Sequence, residues 1–147
     1  MSNKIKILIL CTGNSCRSQM AEAFLKQLDP QLEVYSAGTE PAIRVNPFTI
    51  RVMQEVGLDL SGNQTKSVTQ FLDCDFDFVI TVCGGAKETC PVFFGKVEQR
   101  LHIGFDDPAD ATGSDEEVLA VYRRVRDEIQ VAFRQFYEDN VRSLTQL

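Results

Sequence analysis
Cys11 and Arg17, separated by Thr-Gly-Asn-Ser-Cys, form the segment of this chain with the clearest chemistry. A cysteine and an arginine at that separation can wrap one tetrahedral oxyanion. The backbone N–H groups of Thr12, Gly13, Asn14, Ser15 and Cys16 turn inward as a nest, and Gly13 is expected to allow the turn. Arg17 offers a planar fork to two oxygens. The loop follows an aliphatic run and opens a helix, so the positive end of the helix dipole adds to the anion site. This environment favours the thiolate of Cys11, the nucleophilic form. Ser18 is placed to give that thiolate a hydrogen bond. Cys16 is expected to pack beneath the loop as a structural residue. The Gly-Lys-Ser/Thr ending of nucleotide-binding loops is absent.

Two further groups belong with this loop. Asp106-Asp107-Pro108 offers an acid: the proline restricts Asp107 to extended conformations, and a carboxyl fixed there can protonate an oxygen leaving a bound oxyanion. Asp106 is expected to cap or orient the same loop. Cys83-Gly-Gly-Ala-Lys-Glu-Thr-Cys90-Pro91 adds two thiols suited to stepwise thiol–disulfide exchange with Cys11. A helical segment would hold Cys83 and Cys90 about 10 Å apart, too far for a disulfide, so pairing them requires rearrangement, which Gly84 and Gly85 make cheap. Cys74, between Asp73 and Asp75, is a bystander.

These groups need a scaffold, and the hydrophobic pattern supplies one. Lys4 to Leu10 is a continuous aliphatic run, the mark of a strand buried on both faces. Gln19 to Leu28 places Met20, Ala23, Phe24 and Leu28 on one helical face. Leu32 to Ser36 reads as a second strand. Asn46 caps a helix with Pro47 at its first position that ends at Gly57. Ser67 to Leu72 reads as a short helix, Phe76 to Val82 as a third strand, Glu98 to Ile103 as a fourth, and Glu116 to Asn140 as a long helix. Strands alternating with helices imply an α/β domain with a parallel sheet covered on both faces. Cys11, Cys83 and Asp106–Asp107 then all fall just past strand ends, on the edge where such sheets bind ligands.

The bulk properties set the remaining bounds. The 147 residues suit a single domain spanning 1–147. A formal charge of −6 argues against nucleic acid or anionic membranes as partners, so an anionic substrate must be drawn by a local site. The apolar run before Cys11 is too short for a signal-peptide core or a membrane span. A cytoplasmic location is expected, where five cysteines point to catalytic or redox use and not to a disulfide framework. Zinc is disfavoured, because there is no C-x-x-C pair and His102 is the only histidine.

The chain resembles the thioredoxin-coupled arsenate reductases, which share the fold of the low-molecular-weight tyrosine phosphatases. The matching stretches run from Cys11 to Glu22 (CTGNSCRSQMAE) and include Tyr35-Ser-Ala-Gly38, Val45-Asn-Pro47, Glu55-Val-Gly57, Val82-Cys83, Cys90-Pro91, Gly104-Phe-Asp-Asp-Pro-Ala109 and Arg124-Val-Arg-Asp-Glu-Ile129. The resemblance implies a four-stranded sheet in the order 2-1-3-4. It implies Cys11 as nucleophile, Arg17 as oxyanion clamp, Asp107 as acid, and Cys83 and Cys90 as a redox relay emptied by thioredoxin. The substrate would be arsenate, with phosphate or sulfate as competing oxyanions, no cofactor, and a monomeric protein. Some relatives hold a potassium ion near Asn14, Glu22 and Ser36 with an added aspartate after the second helix. Here that region reads Gln64-Thr65-Lys66-Ser67, with no acid and an apparent extra residue at Gly62 or Asn63, so no metal is expected.

The alternatives are a phosphatase, which needs the same loop and acid but neither Cys83 nor Cys90, and a glutaredoxin-linked reductase, which does not need all three thiols. Gln19 stands where a proline looks typical of the phosphatases. A non-catalytic oxyanion-binding or redox-sensing module would leave Arg17 and Asp107 without a shared purpose.

Overall fold
The structure, a computed structural model, describes residues 4–84 and 92–145. Four parallel strands, β1 (Lys6–Cys11), β2 (Glu33–Gly38), β3 (Phe76–Thr81) and β4 (Val97–His102), lie in the order β2-β1-β3-β4. This is the expected architecture. β1 is central because Ile7 to Leu10 are wholly buried on both faces. Each such side chain contributes about 1.5–3 kcal/mol by leaving water.

Alternation along β1 divides the core. Ile7, Ile9 and Cys11 join the larger cluster, with Phe78 and Ile80 of β3 and the apolar faces of α1 (Arg17–Leu28), α2 (Pro47–Gln54) and α3 (Asp115–Phe136). Leu8 and Leu10 face a smaller cluster with Ala37, Phe71, Val79 and Phe93, where a 3₁₀ turn at Val68–Phe71 replaces the expected short helix. Both faces are covered, and among the described residues the three longer helices share one of them.

Local chemistry sets the boundaries. Asn46 caps α2 by accepting from the Phe48 N–H at 2.8 Å. The helix stops at Gln54, short of the expected Gly57, whose positive φ of 84° belongs to the turn that follows. Ser114 and Glu117 form a reciprocal capping box at the start of α3, a device that contributes about 1 kcal/mol. Regular α-helix in α3 ends at Phe136, and residues to Val141 continue as a wider π turn, so Asn140 lies beyond the α-helix proper. Helix α1 begins at Arg17, two residues before the periodic face suggests, because the Cys16 carbonyl already accepts from the Met20 N–H at 2.9 Å. β1 includes Cys11, paired with Gly38, so Cys11 is the last residue of a strand and not the first beyond it.

Candidate active site
The loop from Cys11 to Arg17 is held from outside by its carbonyls. Those of Thr12, Gly13 and Ser15 accept from the N–H groups of Glu40, Ala42 and Asn46 at 2.9, 2.9 and 3.0 Å. The residue with the left-handed backbone is Asn14 (φ 53°), not Gly13 as the sequence suggests. Asparagine is one of the few side chains that tolerate this region, and here its amide pays for the conformation with hydrogen bonds. Its Nδ2 donates to Ser18 Oγ (2.8 Å) and Ser36 Oγ (2.9 Å), and its Oδ1 accepts from the Lys66 N–H (2.9 Å) and Gln19 Nε2 (3.2 Å).

Cys11 Sγ receives two contacts: the Asn14 N–H at 3.2 Å and Ser18 Oγ at 3.1 Å. Ser18 Oγ accepts from Asn14 Nδ2 and keeps its own proton to donate to the sulfur when Cys11 is a thiolate. Helix α1 has no side-chain cap, so its first-turn N–H groups stay available at the mouth of the loop. Arg17 is 4% exposed; its Nη1 donates to the Phe105 carbonyl at 3.0 Å and its Nη2 lies 3.5 Å from Asp107 Oδ2. Asp107 Oδ1 accepts from the Ala109 N–H at 3.0 Å, which caps the 3₁₀ turn Pro108–Asp110. Capping therefore falls to Asp107, while the exposed Asp106 ties the loop to α3 through Arg124 at 3.2 Å. Cys16 is buried beneath the loop as expected, and burial pushes its thiol up to about 12. Ser15 lies on the rim, half-buried.

Cys83 follows β3 on the same sheet edge. The Val82 N–H donates to the Leu10 carbonyl at 3.0 Å, which sets Cys83 one residue beyond the neighbour of Cys11. It is buried and disulfide-bonded, whereas Cys11, Cys16 and Cys74 are free thiols. Cys90, with the expected rearrangement of its segment, lies outside the described residues. Two close backbone approaches fix this edge. A Cβ on Gly38 would sit 2.3 Å from the Thr12 carbonyl oxygen, and one on Gly84 2.5 Å from that of Phe105. Gly38→Ala is thus expected to displace the Cys11–Arg17 loop, lowering stability by about 1–3 kcal/mol, or Tm by roughly 2–10 °C, and weakening phosphate binding. Calorimetry and phosphate inhibition would measure both.

The potassium position of some relatives is not reproduced. Glu22 Oε2 lies 2.6 Å from Lys26 Nζ, and Oε1 accepts from Ser36 Oγ at 2.6 Å with Lys66 Nζ at 4.0 Å. Two ammonium groups already face the one carboxylate, and the Asn14 carbonyl is occupied. No group of three histidine, cysteine or acidic side chains forms a metal cluster among the described residues. These residues do not fit a further cation.

Residues 6–146 match the family model described as low molecular weight phosphotyrosine protein phosphatase. An arsenate reductase of Halalkalibacterium halodurans is 50% identical over 137 residues, covering 92% of this chain and 97% of the relative. The chain belongs to this phosphatase family and to the arsenate reductases within it. Two solved structures agree. One, described as an arsenate reductase in its oxidised state, is 32% identical with a TM-score of 0.75, covering 91% of this chain and 97% of its own. The other, an arsenate reductase in the phosphate-binding state, is 33% identical with a TM-score of 0.71, covering 92% and 98%. No helix among the described residues is long and apolar enough to cross a membrane. Within the family's loop, the sequence reading missed the work of Gln19. Its side chain is buried and its Nε2 donates to the Asn14 and Gln64 carbonyls at 3.2 and 3.1 Å. The only signal was a polar residue in place of a proline inside the family motif.

Proposed function
We propose that this chain reduces arsenate to arsenite through Cys11, with a disulfide relay of Cys83 and Cys90 that thioredoxin empties. Arsenate binds the inward N–H groups and the Arg17 fork. The Cys11 thiolate attacks arsenic, an oxygen leaves as water with a proton from Asp107, and a Cys11–S–As(V) bond results. The Cys83 thiolate then attacks Cys11 Sγ. The sulfur–arsenic bond breaks, its electron pair stays on arsenic, arsenite leaves, and a Cys11–Cys83 disulfide remains. The Cys90 thiolate attacks Cys83, freeing Cys11 as thiolate, and the dithiol of thioredoxin reduces the Cys83–Cys90 disulfide.

The observation that carries this reading over a phosphatase is the placement of Cys83 just past β3, the strand paired with β1, at the same carboxyl edge of the sheet as Cys11. Phosphoester hydrolysis needs no second thiol there. Thioredoxin as reductant and a monomeric state follow from the resemblance, and a cytoplasmic location from the use of five cysteines without a disulfide framework. The test is arsenate reduction with thioredoxin, its reductase and NADPH, beside glutaredoxin with glutathione and beside hydrolysis of p-nitrophenyl phosphate. Turnover with thioredoxin alone supports the proposal; turnover only with glutaredoxin, or only phosphoester hydrolysis, overturns it.

The acid is tested separately. Asp107→Asn is expected to keep the fold and slow the first chemical step by about 10²–10⁴-fold, the usual scale of general acid catalysis. Asp106→Asn, which loses only an exposed pair with Arg124, is expected to have little effect. Rapid-quench kinetics of adduct formation would expose the opposite order if the carboxylates were assigned wrongly.

A further inference from the structure
One ion pair and four hydrogen bonds run in series from the surface to Cys11. Lys66 Nζ lies 4.0 Å from Glu22 Oε1; that oxygen accepts from Ser36 Oγ at 2.6 Å; Ser36 accepts from Asn14 Nδ2 at 2.9 Å; the same amide donates to Ser18 Oγ at 2.8 Å; and Ser18 meets Cys11 Sγ at 3.1 Å. Three hydrogen bonds hold Lys66 beside this chain. Its backbone N–H donates to Asn14 Oδ1 at 2.9 Å, its carbonyl accepts from Gly38 N–H at 2.8 Å, and its ammonium donates to the Gln64 carbonyl at 3.2 Å. The Gln64 carbonyl is also the acceptor of Gln19 Nε2, which holds Asn14 from the other side. The Lys66 ammonium thus sits where a carboxylate oxygen and a carbonyl oxygen converge, beside an open cleft of about 380 Å³ bordered by Glu22, Gln64 and Gln70. Partial burial pulls its amine below the ordinary lysine value and Glu22 pulls it back up. Lys26 also touches Glu22, but from a half-exposed position on the next turn of α1, and no hydrogen bond joins it to the loop at residues 64–66.

We propose that Lys66 is the resident counter-cation of the nucleophile loop, a positioning residue that holds Glu22 and Gln64 in register and, through Ser36, Asn14 and Ser18, sets Cys11, so that the loop needs no monovalent cation from solution. The inference rests on Cys11 being the nucleophile. Removing the ammonium leaves its two oxygen ligands converging on an open cleft, a setting that a weakly hydrated monovalent ion can enter.

The experiment compares wild type, Lys66→Met, Lys66→Arg and Lys26→Met in potassium chloride and in choline chloride at equal ionic strength. Melting temperature is read first, then p-nitrophenyl phosphate hydrolysis and arsenate reduction. Lys66→Met is expected to lose about 10-fold or more in kcat in choline, as misplaced catalytic groups do, and to recover most of it in potassium. Its Tm should rise by about 2–4 °C on exchanging choline for potassium. Wild type, Lys66→Arg and Lys26→Met should be indifferent to the exchange. The proposal is overturned if Lys66→Met is active and indifferent to the cation, if it fails to fold in either salt, or if Lys26→Met alone becomes potassium-dependent. The melting data separate this from the reaction itself, since they report the ion whether or not arsenate is the substrate.

Discussion

Cys11→Ser is expected to abolish arsenate reduction and any phosphoester hydrolysis together, by about 10⁴-fold or more, the scale on which removal of an enzyme nucleophile acts. The fold should survive, because serine is smaller than cysteine and the buried sulfur is already surrounded by polar partners, the Asn14 N–H and the Ser18 hydroxyl. The variant should still bind phosphate, since the Arg17 fork and the inward N–H groups remain. Isothermal titration with phosphate, run beside both activity assays, separates loss of chemistry from loss of the site. Appreciable turnover by either assay, with serine at position 11, would remove Cys11 from the mechanism.

The second large effect distinguishes a reductase from a phosphatase. Cys90→Ser is expected to release one equivalent of arsenite per enzyme and then stop as a Cys11–Cys83 disulfide. Thioredoxin should reach that bond poorly, because Cys11 is enclosed by its loop and only 3% exposed. Cys83→Ser should stop earlier, at the arsenic adduct, with no arsenite released. Neither change should alter hydrolysis of p-nitrophenyl phosphate by more than about 3-fold, since that reaction uses the loop, Arg17 and Asp107, and single substitutions outside a reacting set act modestly. Mass spectrometry of single-turnover mixtures identifies each disulfide. Sustained turnover of Cys90→Ser with thioredoxin would sink the relay and favour a glutathione-linked reductase.

What the sequence made readable follows from how local each signal is. The apolar run of β1 and the Pro47 start of α2 are local, and both appear as expected. The oxyanion loop was readable because its chemistry depends on a short fixed spacing. The strand order depends on pairing between distant segments, and it entered through family likeness, not through the pattern itself. Asn14 as the left-handed residue was hidden, because glycine is the default reading of a tight turn and only the four hydrogen bonds to its side chain explain why asparagine stands there. The capping role of Asp107 was hidden for a related reason: Asp-Asp-Pro offers two carboxylates, and only the arrangement of Arg17 and Arg124 on different elements assigns one to the pocket and the other to the helix. Lys66 was visible as a missing acid, not as a positive charge joined to Glu22 across 44 residues of chain.

The buried Cys16 bears on how such a loop avoids poisoning itself. Two sulfurs lie five residues apart, and a bond between them would take Cys11 out of the proposed reaction. The defence is insulation. Burial pushes the Cys16 thiol up to about 12, which keeps it in the protonated, weakly nucleophilic form at neutral pH. A polar residue admitted beneath the loop, or a cavity that let water in, would lower that barrier and open a short circuit, so the apolar packing around Cys16 protects the electron path as well as the fold.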